Sequence, residues 1–303
     1  MARIIFVPGK NPKPPPTDHR RALWRCLVNG VRRVNHDLAD SLESSADSFR
    51  LVSWNHDFYG EDTRIEDDRP WIEHLLQKHG PTAEDIEDAN SWNKRLTAFS
   101  YSLADRFPWL INLVADEAAR STIRETHRYF ANLDGAAERI HEKLLAELQP
   151  ALASGEPVLL IGHSLGSVIA WNVLWLLTHR EGCRENVDHL LTLGSPLGMR
   201  FVQRRLLGND HEHLGRYPAC INHWTNIAAV GDLTALDEYV HDDFAEMLSL
   251  KLVDDINEKH GRIYNFYRDD DGLNPHRSYG YLANPVVGQV IASWWYHHGK
   301  PRG

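Results

Sequence analysis

A serine flanked by two glycines stands near the middle of the chain, in the segment Gly-His-Ser-Leu-Gly at residues 162–166. An apolar β-type run, residues 158–161, comes directly before it, and a helix-like pattern begins at Leu165. A serine on such a sharp strand-to-helix turn needs small neighbours, because side chains two residues to either side would collide. The turn would present the Ser164 hydroxyl beside a helix N-terminus, which favours developing negative charge. The pattern predicts a nucleophile, with the Leu165 N–H as one oxyanion donor.

A serine hydroxyl is a weak nucleophile until a base removes its proton, so this prediction requires a histidine and a carboxylate. On a turn of this kind the expected chain order is serine, acid, histidine. The apolar run 224–230 closes on a glycine and Asp232, so we predict Asp232 as the acid, with Asp237 as the alternative. His276 is the one histidine in the loop 269–279 after the last predicted strand. We therefore predict that His276 is the base.

The loop after the first apolar run, residues 7–16, has the sequence Val-Pro-Gly-Lys-Asn-Pro-Lys-Pro-Pro-Pro. Gly9 allows the backbone to approach an acyl group closely, and the N–H of Lys10 is the expected second oxyanion donor. The spacing of a phosphate-binding loop is absent here. His211 and His213 have no obvious third ligand nearby, so we predict no metal and no other cofactor.

Apolar β-type runs alternate with longer helical patterns along the chain, which is typical of a parallel sheet covered by helices on both faces. The predicted strands are residues 4–7, 49–54, 158–161, 189–193, 224–230 and 263–267. The predicted helices are residues 18–38, 135–148, 165–177, 243–258 and 285–295. We predict an α/β fold with a mostly parallel sheet of about six strands flanked by helices.

Two connections are longer than a strand-to-helix link requires. Residues 55–125 carry many aromatic side chains among charges, and a structureless loop of that length is unusual. We therefore predict a helical cap insertion at 55–125, over a core made of residues 1–54 and 126–303, and a shorter insertion at 198–221. The predicted substrate-contacting side chains, besides the backbone at Gly9, are His163, Trp92, Phe99 and Tyr101.

Composition limits the partners. With 303 residues, 42% hydrophobic and 25% charged, the chain has enough apolar material for a globular core of one or two domains. Its 42 acidic and 33 basic residues give a net charge of -9, which disfavours nucleic acid and anionic lipid as partners. We expect a small-molecule substrate, while the oligomeric state stays open.

The cysteines and the apolar runs predict the cellular compartment of the protein. Three widely spaced cysteines fit reduced thiols, and the apolar run 4–7 is too short for a signal peptide, so we expect a cytoplasmic protein. The run 158–177 contains no Asp, Glu, Lys or Arg and is long enough to span a bilayer. A strand, a turn and a buried helix explain the same apolarity, so we predict no stable membrane association.

With strand, turn, acid and base in this order, the chain resembles the α/β-hydrolase superfamily of serine hydrolases, over residues 3–61 and from about 126 to the end. The segment 162–166 and the following Leu-Thr-Leu-Gly-Ser-Pro at 191–196 are similar to its lipase/esterase-like branch. The resemblance implies an α/β-hydrolase fold and a catalytic triad. In that triad Ser164 would be the nucleophile, His276 the base and Asp232 the acid, with N–H groups of Leu165 and Lys10 in the oxyanion hole. Pro8-Gly9 stands where many lipases have a His-Gly pair.

The expected reaction is hydrolysis of a carboxylic ester of a small or medium apolar substrate through an acyl-enzyme. An amidase, a thioesterase or a peptidase would use the same three residues. The alternative of another class is a non-catalytic binding protein on a hydrolase fold.

Overall fold

Strands and helices alternate through most of the chain in the computed structural model, which describes residues 2–91, 125–235 and 240–299. The main elements, in chain order, are β1 (Arg3–Val7), α1 (Pro16–Arg32), α2 (His36–Glu43), β2 (Phe49–Leu51), α3 (Asn55–Tyr59), α4 (Ile65–Gln77), α5 (Ala83–Ala89), α6 (Ala136–Ala153), β3 (Val158–His163), α7 (Leu165–His179), β4 (Val187–Leu193), α8 (Arg200–Gln203), β5 (Ile221–Ile227), α9 (Val240–Asp243), α10 (Ala245–Ser249), β6 (Asp255–Asn257), β7 (Arg268–Asp269), β8 (Gly272–Leu273), α11 (Ser278–Ala283) and α12 (Pro285–His298).

Within the described residues, six strands form one sheet in the order β2-β1-β3-β4-β5-β6, and every neighbouring pair is parallel. The remaining two, β7 and β8, make a small antiparallel hairpin. The predicted α/β fold with a six-stranded parallel sheet is therefore confirmed. Because β2 lies on one side of β1 and β3 on the other, the direction of the winding reverses between β1 and β3. Open α/β sheets form a crevice outside the carboxyl ends of the strands at such a point.

Both faces of the sheet are buried, and successive residues of β1 serve opposite faces. Ile5 and Val7 belong to the core that α6 and α7 cover, whereas Ile4 and Phe6 belong to the core under α1, α2, α11 and α12. This double burial explains why the strands have continuous apolar runs instead of alternating polar residues.

The predicted helix 243–258 and the predicted strand 263–267 are wrong in part. The edge strand is β6, at Asp255–Asn257, and Ile263 makes only an isolated parallel bridge with Ala229. Of the predicted helix 243–258, the structure keeps only Asp243, at the end of α9, and the short α10 at Ala245–Ser249, and Lys251 has a positive φ of 56° just beyond it. The spacing of apolar residues in this segment resembles that of a helix. The buried side chains after Ser249 nevertheless belong to a turn and to the short strand β6.

The predicted helix 18–38 is two helices, α1 and α2. The chain leaves the helical conformation at Asn35, whose side chain accepts a hydrogen bond from the Leu38 N–H and caps α2. A capping asparagine is a start signal for a helix, and here it overrides a continuous amphipathic pattern.

The described part of the predicted insertion is helical, since α3, α4 and α5 all lie before residue 92. Helix α4 packs against α1, α11 and β7, and α5 contacts β8. Three predicted pocket residues, Trp92, Phe99 and Tyr101, lie outside the described residues. The role of 55–125 as a cap stays a prediction.

The apolar run 158–177 consists of β3 followed by α7. In the described ranges, 2–91, 125–235 and 240–299, no helix combines the length and apolarity that a membrane crossing requires.

The free energy of unfolding is expected to fall as the pH drops below about 6.5, because the fold buries neutral histidines. His141 on α6 is 8% exposed and forms a 2.9 Å hydrogen bond with the Tyr129 hydroxyl. Burial lowers the pKa of His141 to about 4. Below the ordinary histidine pKa, the His141 side chain binds a proton in the unfolded chain but not in the folded chain. The free energy of unfolding therefore decreases as the pH falls.

This histidine alone should lower the free energy of unfolding by about 2 kcal/mol between pH 7.5 and pH 5. Urea unfolding of the parent and of His141→Gln at both pH values measures the contribution. The variant should have a weaker pH dependence by that amount, and an identical dependence in both proteins would contradict the assignment.

Candidate active site

The predicted strand-to-helix turn lies between β3 and α7, with Ser164 at its tip. Ser164 has φ 54° and ψ -127°, a conformation that residues with a side chain rarely adopt. A Cβ at position 162 would come within 2.6 Å of the Ser167 Cα, and one at position 166 within 2.1 Å of the Val7 carbonyl oxygen. The two glycines thus let the turn close on itself and let α7 begin directly against β1.

The structure brings Ser164, His276 and Asp232 into one hydrogen-bonded line. His276 Nε2 lies 2.9 Å from Ser164 Oγ, and His276 Nδ1 lies 2.9 and 3.0 Å from the two oxygens of Asp232. A neutral imidazole protonated on Nδ1 donates to Asp232 and leaves Nε2 to accept from the serine hydroxyl. The geometry can therefore pass the Ser164 proton to His276 while Asp232 fixes the orientation of the ring.

Asp232 is 3% exposed and is held by groups besides the histidine. The Tyr281 hydroxyl donates to Oδ2 at 2.7 Å, and the Thr234 N–H donates to Oδ1 at 2.9 Å. Burial opposes ionisation, but the charge of His276 and these hydrogen bonds outweigh it and hold the pKa of Asp232 below its ordinary value. The carboxyl group is therefore an anion at neutral pH. The alternative acid, Asp237, lies outside the described residues.

The backbone on either side of His276 is fixed by two buried side chains. His163 Nε2 donates to the His276 carbonyl at 2.8 Å, and Asn265 Nδ2 donates to the carbonyls of Pro275 and Arg277 at 2.8 and 2.9 Å. Burial lowers the pKa of His163 well below its ordinary value, so the imidazole is neutral. His163, a predicted substrate contact, is 5% exposed, and its ring lies against the loop that carries His276.

The same loop is tied to the described part of the insertion. The Arg277 guanidinium forms an ion pair with Asp68 on α4, and the Tyr279 hydroxyl donates to the same carboxylate at 3.3 Å. The position of His276 therefore depends on α4 as well as on the sheet.

The loop after β1 lies against the serine. A Cβ at position 9 would come within 2.7 Å of the Ser164 Cβ, so only glycine allows this approach. Lys10, the predicted second oxyanion donor, follows directly. The Leu165 N–H is in the first turn of α7, where it has no acceptor within the helix. Both predicted donor groups thus belong to backbone next to Ser164.

The side chain of Lys13 contacts the backbone of this loop. Its Nζ donates to the Lys10 carbonyl at 2.7 Å. Burial, with repulsion from Arg277 and Lys10, lowers the pKa of Lys13 to about 7, while Asp68 opposes the shift. The amine is therefore only partly charged at neutral pH.

No three metal-ligating side chains meet in the part of the chain that the structure describes. His213 Nδ1 lies 2.9 Å from Glu246, whereas His211 lies against the ring of Trp175. The two histidines of this motif thus have separate neighbours.

The residues that support the site were not predicted from the sequence. Thr234 could have been anticipated, because a residue two positions after an aspartate commonly donates its N–H to that carboxylate. Tyr281 and Asn265 carry no local signal, since their partners are defined only by the folded chain.

A buried serine, a histidine and an ionised carboxylate thus share one line beyond the carboxyl end of β3, with the backbone of Gly9 against the serine. Comparisons with protein-family models, with curated proteins and with solved structures found no match.

Proposed function

We propose that this chain is a serine hydrolase with an α/β-hydrolase fold of the lipase/esterase-like branch, and that it cleaves a carboxylic ester of a small or medium apolar substrate. One observation carries the proposal, namely the line from Ser164 Oγ to His276 Nε2 at 2.9 Å and from Nδ1 to Asp232 at 2.9 Å. The positive φ of Ser164 supports it, because strained backbone conformations are enriched at active sites.

In the first step, Ser164 Oγ attacks the ester carbonyl carbon while its proton moves to His276 Nε2. The carbonyl π electrons move to oxygen, and the N–H groups of Leu165 and Lys10 stabilise that oxyanion. Asp232 compensates the positive charge that forms on the imidazole, which is why its ionised state matters.

In the second step, the tetrahedral intermediate expels the alcohol oxygen, and His276 donates the proton to that leaving group. The acyl group now esterifies Ser164. A water molecule then attacks the same carbonyl, gives its proton to His276, and the serine leaves with that proton as the acid is released.

An ester is preferred over an amide as substrate because an alkoxide is a better leaving group than an amide nitrogen. Trp92, Phe99 and Tyr101 remain the proposed apolar contacts, no cofactor takes part, and the substrate is a small molecule. Cys26, Cys183 and Cys220 are all free thiols, which supports a reducing compartment such as the cytoplasm.

The direct test is covalent labelling with a fluorophosphonate, followed by a panel of p-nitrophenyl esters of increasing chain length with matched anilides and thioesters. We expect covalent labelling at Ser164 and faster turnover of the esters than of the matched anilides. Ser48→Ala is the matched control, because Ser48 is equally buried but lies in the turn before β2. Labelling should survive in Ser48→Ala and disappear in Ser164→Ala.

Absence of both labelling and turnover in the parent protein would contradict the proposal and favour a non-catalytic binding role. Labelling with faster turnover of anilides or thioesters would retain the mechanism and change the substrate class.

A further inference from the structure

The loop between β1 and Lys13 has a side-chain donor on each of four successive carbonyls. Trp54 Nε1 donates to Pro8 O at 3.0 Å and Lys13 Nζ donates to Lys10 O at 2.7 Å. Asn55 Nδ2 donates to both Gly9 O and Asn11 O, each at 2.8 Å. Four successive peptide planes of this loop are thus held by side chains, and three of these four bonds come from the adjacent residues Trp54 and Asn55.

The bond from Asn55 to Gly9 O has a consequence for the next residue. The carbonyl of Gly9 and the N–H of Lys10 belong to one planar peptide unit, and in a trans peptide they point in opposite directions. A donor that fixes the Gly9 carbonyl therefore also fixes the direction of the Lys10 N–H.

We propose that Asn55 is a positioning residue for the oxyanion site, which holds the Gly9–Lys10 peptide so that the Lys10 N–H stays directed at the reacting carbonyl oxygen. The inference rests on the proposed hydrolase function, because the Lys10 N–H has an oxyanion to stabilise only in that reaction. The position of the peptide supports it, since Gly9 lies against Ser164 with room for no Cβ.

The chemistry of the side chain fits this role. Asn55 is 2% exposed at the start of α3, and its amide nitrogen has two hydrogens for the two carbonyls it contacts. Leucine has nearly the same volume with no polar atom, and an ionised aspartate of the same size has no hydrogen to donate. Either replacement frees the Gly9–Lys10 peptide to rotate.

Asn55→Leu and Asn55→Asp should each lower kcat by about 100-fold, the order of magnitude expected when one oxyanion donor is lost, with KM changed less than threefold. Affinity for an alkyl boronic acid, which forms a tetrahedral adduct with serine, should fall with kcat. Asn172→Leu is the matched control. Asn172 is another buried asparagine with two hydrogen bonds, to the Tyr129 hydroxyl and the Leu207 N–H, and lies more than two helical turns beyond Ser164.

The control should lose stability comparably and keep kcat and boronate affinity within about twofold of the parent, because its hydrogen bonds do not reach the loop. A second readout does not depend on turnover: boronate binding should shift the Lys10 amide proton downfield in the parent NMR spectrum and shift it less in Asn55→Asp. If both Asn55 variants keep the parent kcat and boronate affinity, the inference is wrong while the hydrolase proposal stands. A parent protein that neither labels with fluorophosphonate nor turns over an ester overturns both.

Discussion

Replacing Ser164 with alanine is expected to lower ester turnover by about 10⁵-fold or more. The substitution removes the only atom that can form the acyl-enzyme in the proposed reaction. The oxyanion donors and the remaining pocket would still accelerate attack by water slightly, so a small residual rate above the uncatalysed one is expected. Initial rates with an activated ester at saturating concentration measure the loss.

Stability separates a catalytic role from a structural one. Ser164→Ala should change the free energy of unfolding by no more than about 1 kcal/mol, because it removes one partly buried hydrogen bond and keeps the strained φ of 54°. Ser164→Gly should be equally inactive but more stable than Ser164→Ala by about 1 kcal/mol, since glycine adopts this conformation without strain. A Ser164→Ala protein that keeps the parent turnover would rule out the acyl-enzyme mechanism.

The central part of the fold could be predicted because its signals are local. The residues 158–166 carry a continuous apolar run, a glycine-flanked serine and the start of a helix, and they form β3, the turn and α7. The chain order of serine, acid and histidine then restricted the candidates to Asp232 and His276 among many acidic residues and histidines. Those two side chains lie within hydrogen-bonding distance of each other.

The sheet edge was missed because an edge strand carries a weak pattern. β6 has three residues, of which only Ile256 is buried, whereas the apolar run at 263–267 looks more like a strand. Side chains of that run, such as Phe266 and Tyr267, are buried under α1 and α11 without pairing to the sheet. The apolar run therefore predicted a full strand where a single β-bridge at Ile263 and tertiary packing occur.

The supporting residues depend on contacts between distant parts of the chain. Asn55 reaches Gly9 across 46 positions, and Tyr281 reaches Asp232 across 49. An isolated asparagine or tyrosine in a sequence does not specify such a partner, because the partner is set by how β1, α3 and α11 pack. Local patterns and chain order thus indicate the serine, the acid and the histidine, whereas supporting residues such as Asn55 and Tyr281 emerge only from the fold.

The second large effect is expected for Asp232→Asn, which should lower kcat by about 10³- to 10⁴-fold, less than Ser164→Ala. The amide keeps the size of the side chain and can still accept the hydrogen bond from Tyr281. It cannot compensate a positive charge on His276, and an amide N–H facing Nδ1 would favour the ring tautomer that carries its proton on Nε2. In that tautomer Nε2 cannot accept the proton of Ser164.

The control is Asp237→Asn, at the alternative acid position, which should keep turnover within about twofold because the two oxygens of Asp232 already contact His276 Nδ1. Fluorophosphonate labelling rates of the two variants provide an independent measurement, since labelling also requires His276 to remove the serine proton. Slow labelling of Asp232→Asn with a normal rate for Asp237→Asn is the expected pair of results. The reverse pair would move the acid to position 237 and leave Asp232, with its bonds to Tyr281 and Thr234, as a buried anion that only orders the loop after β5.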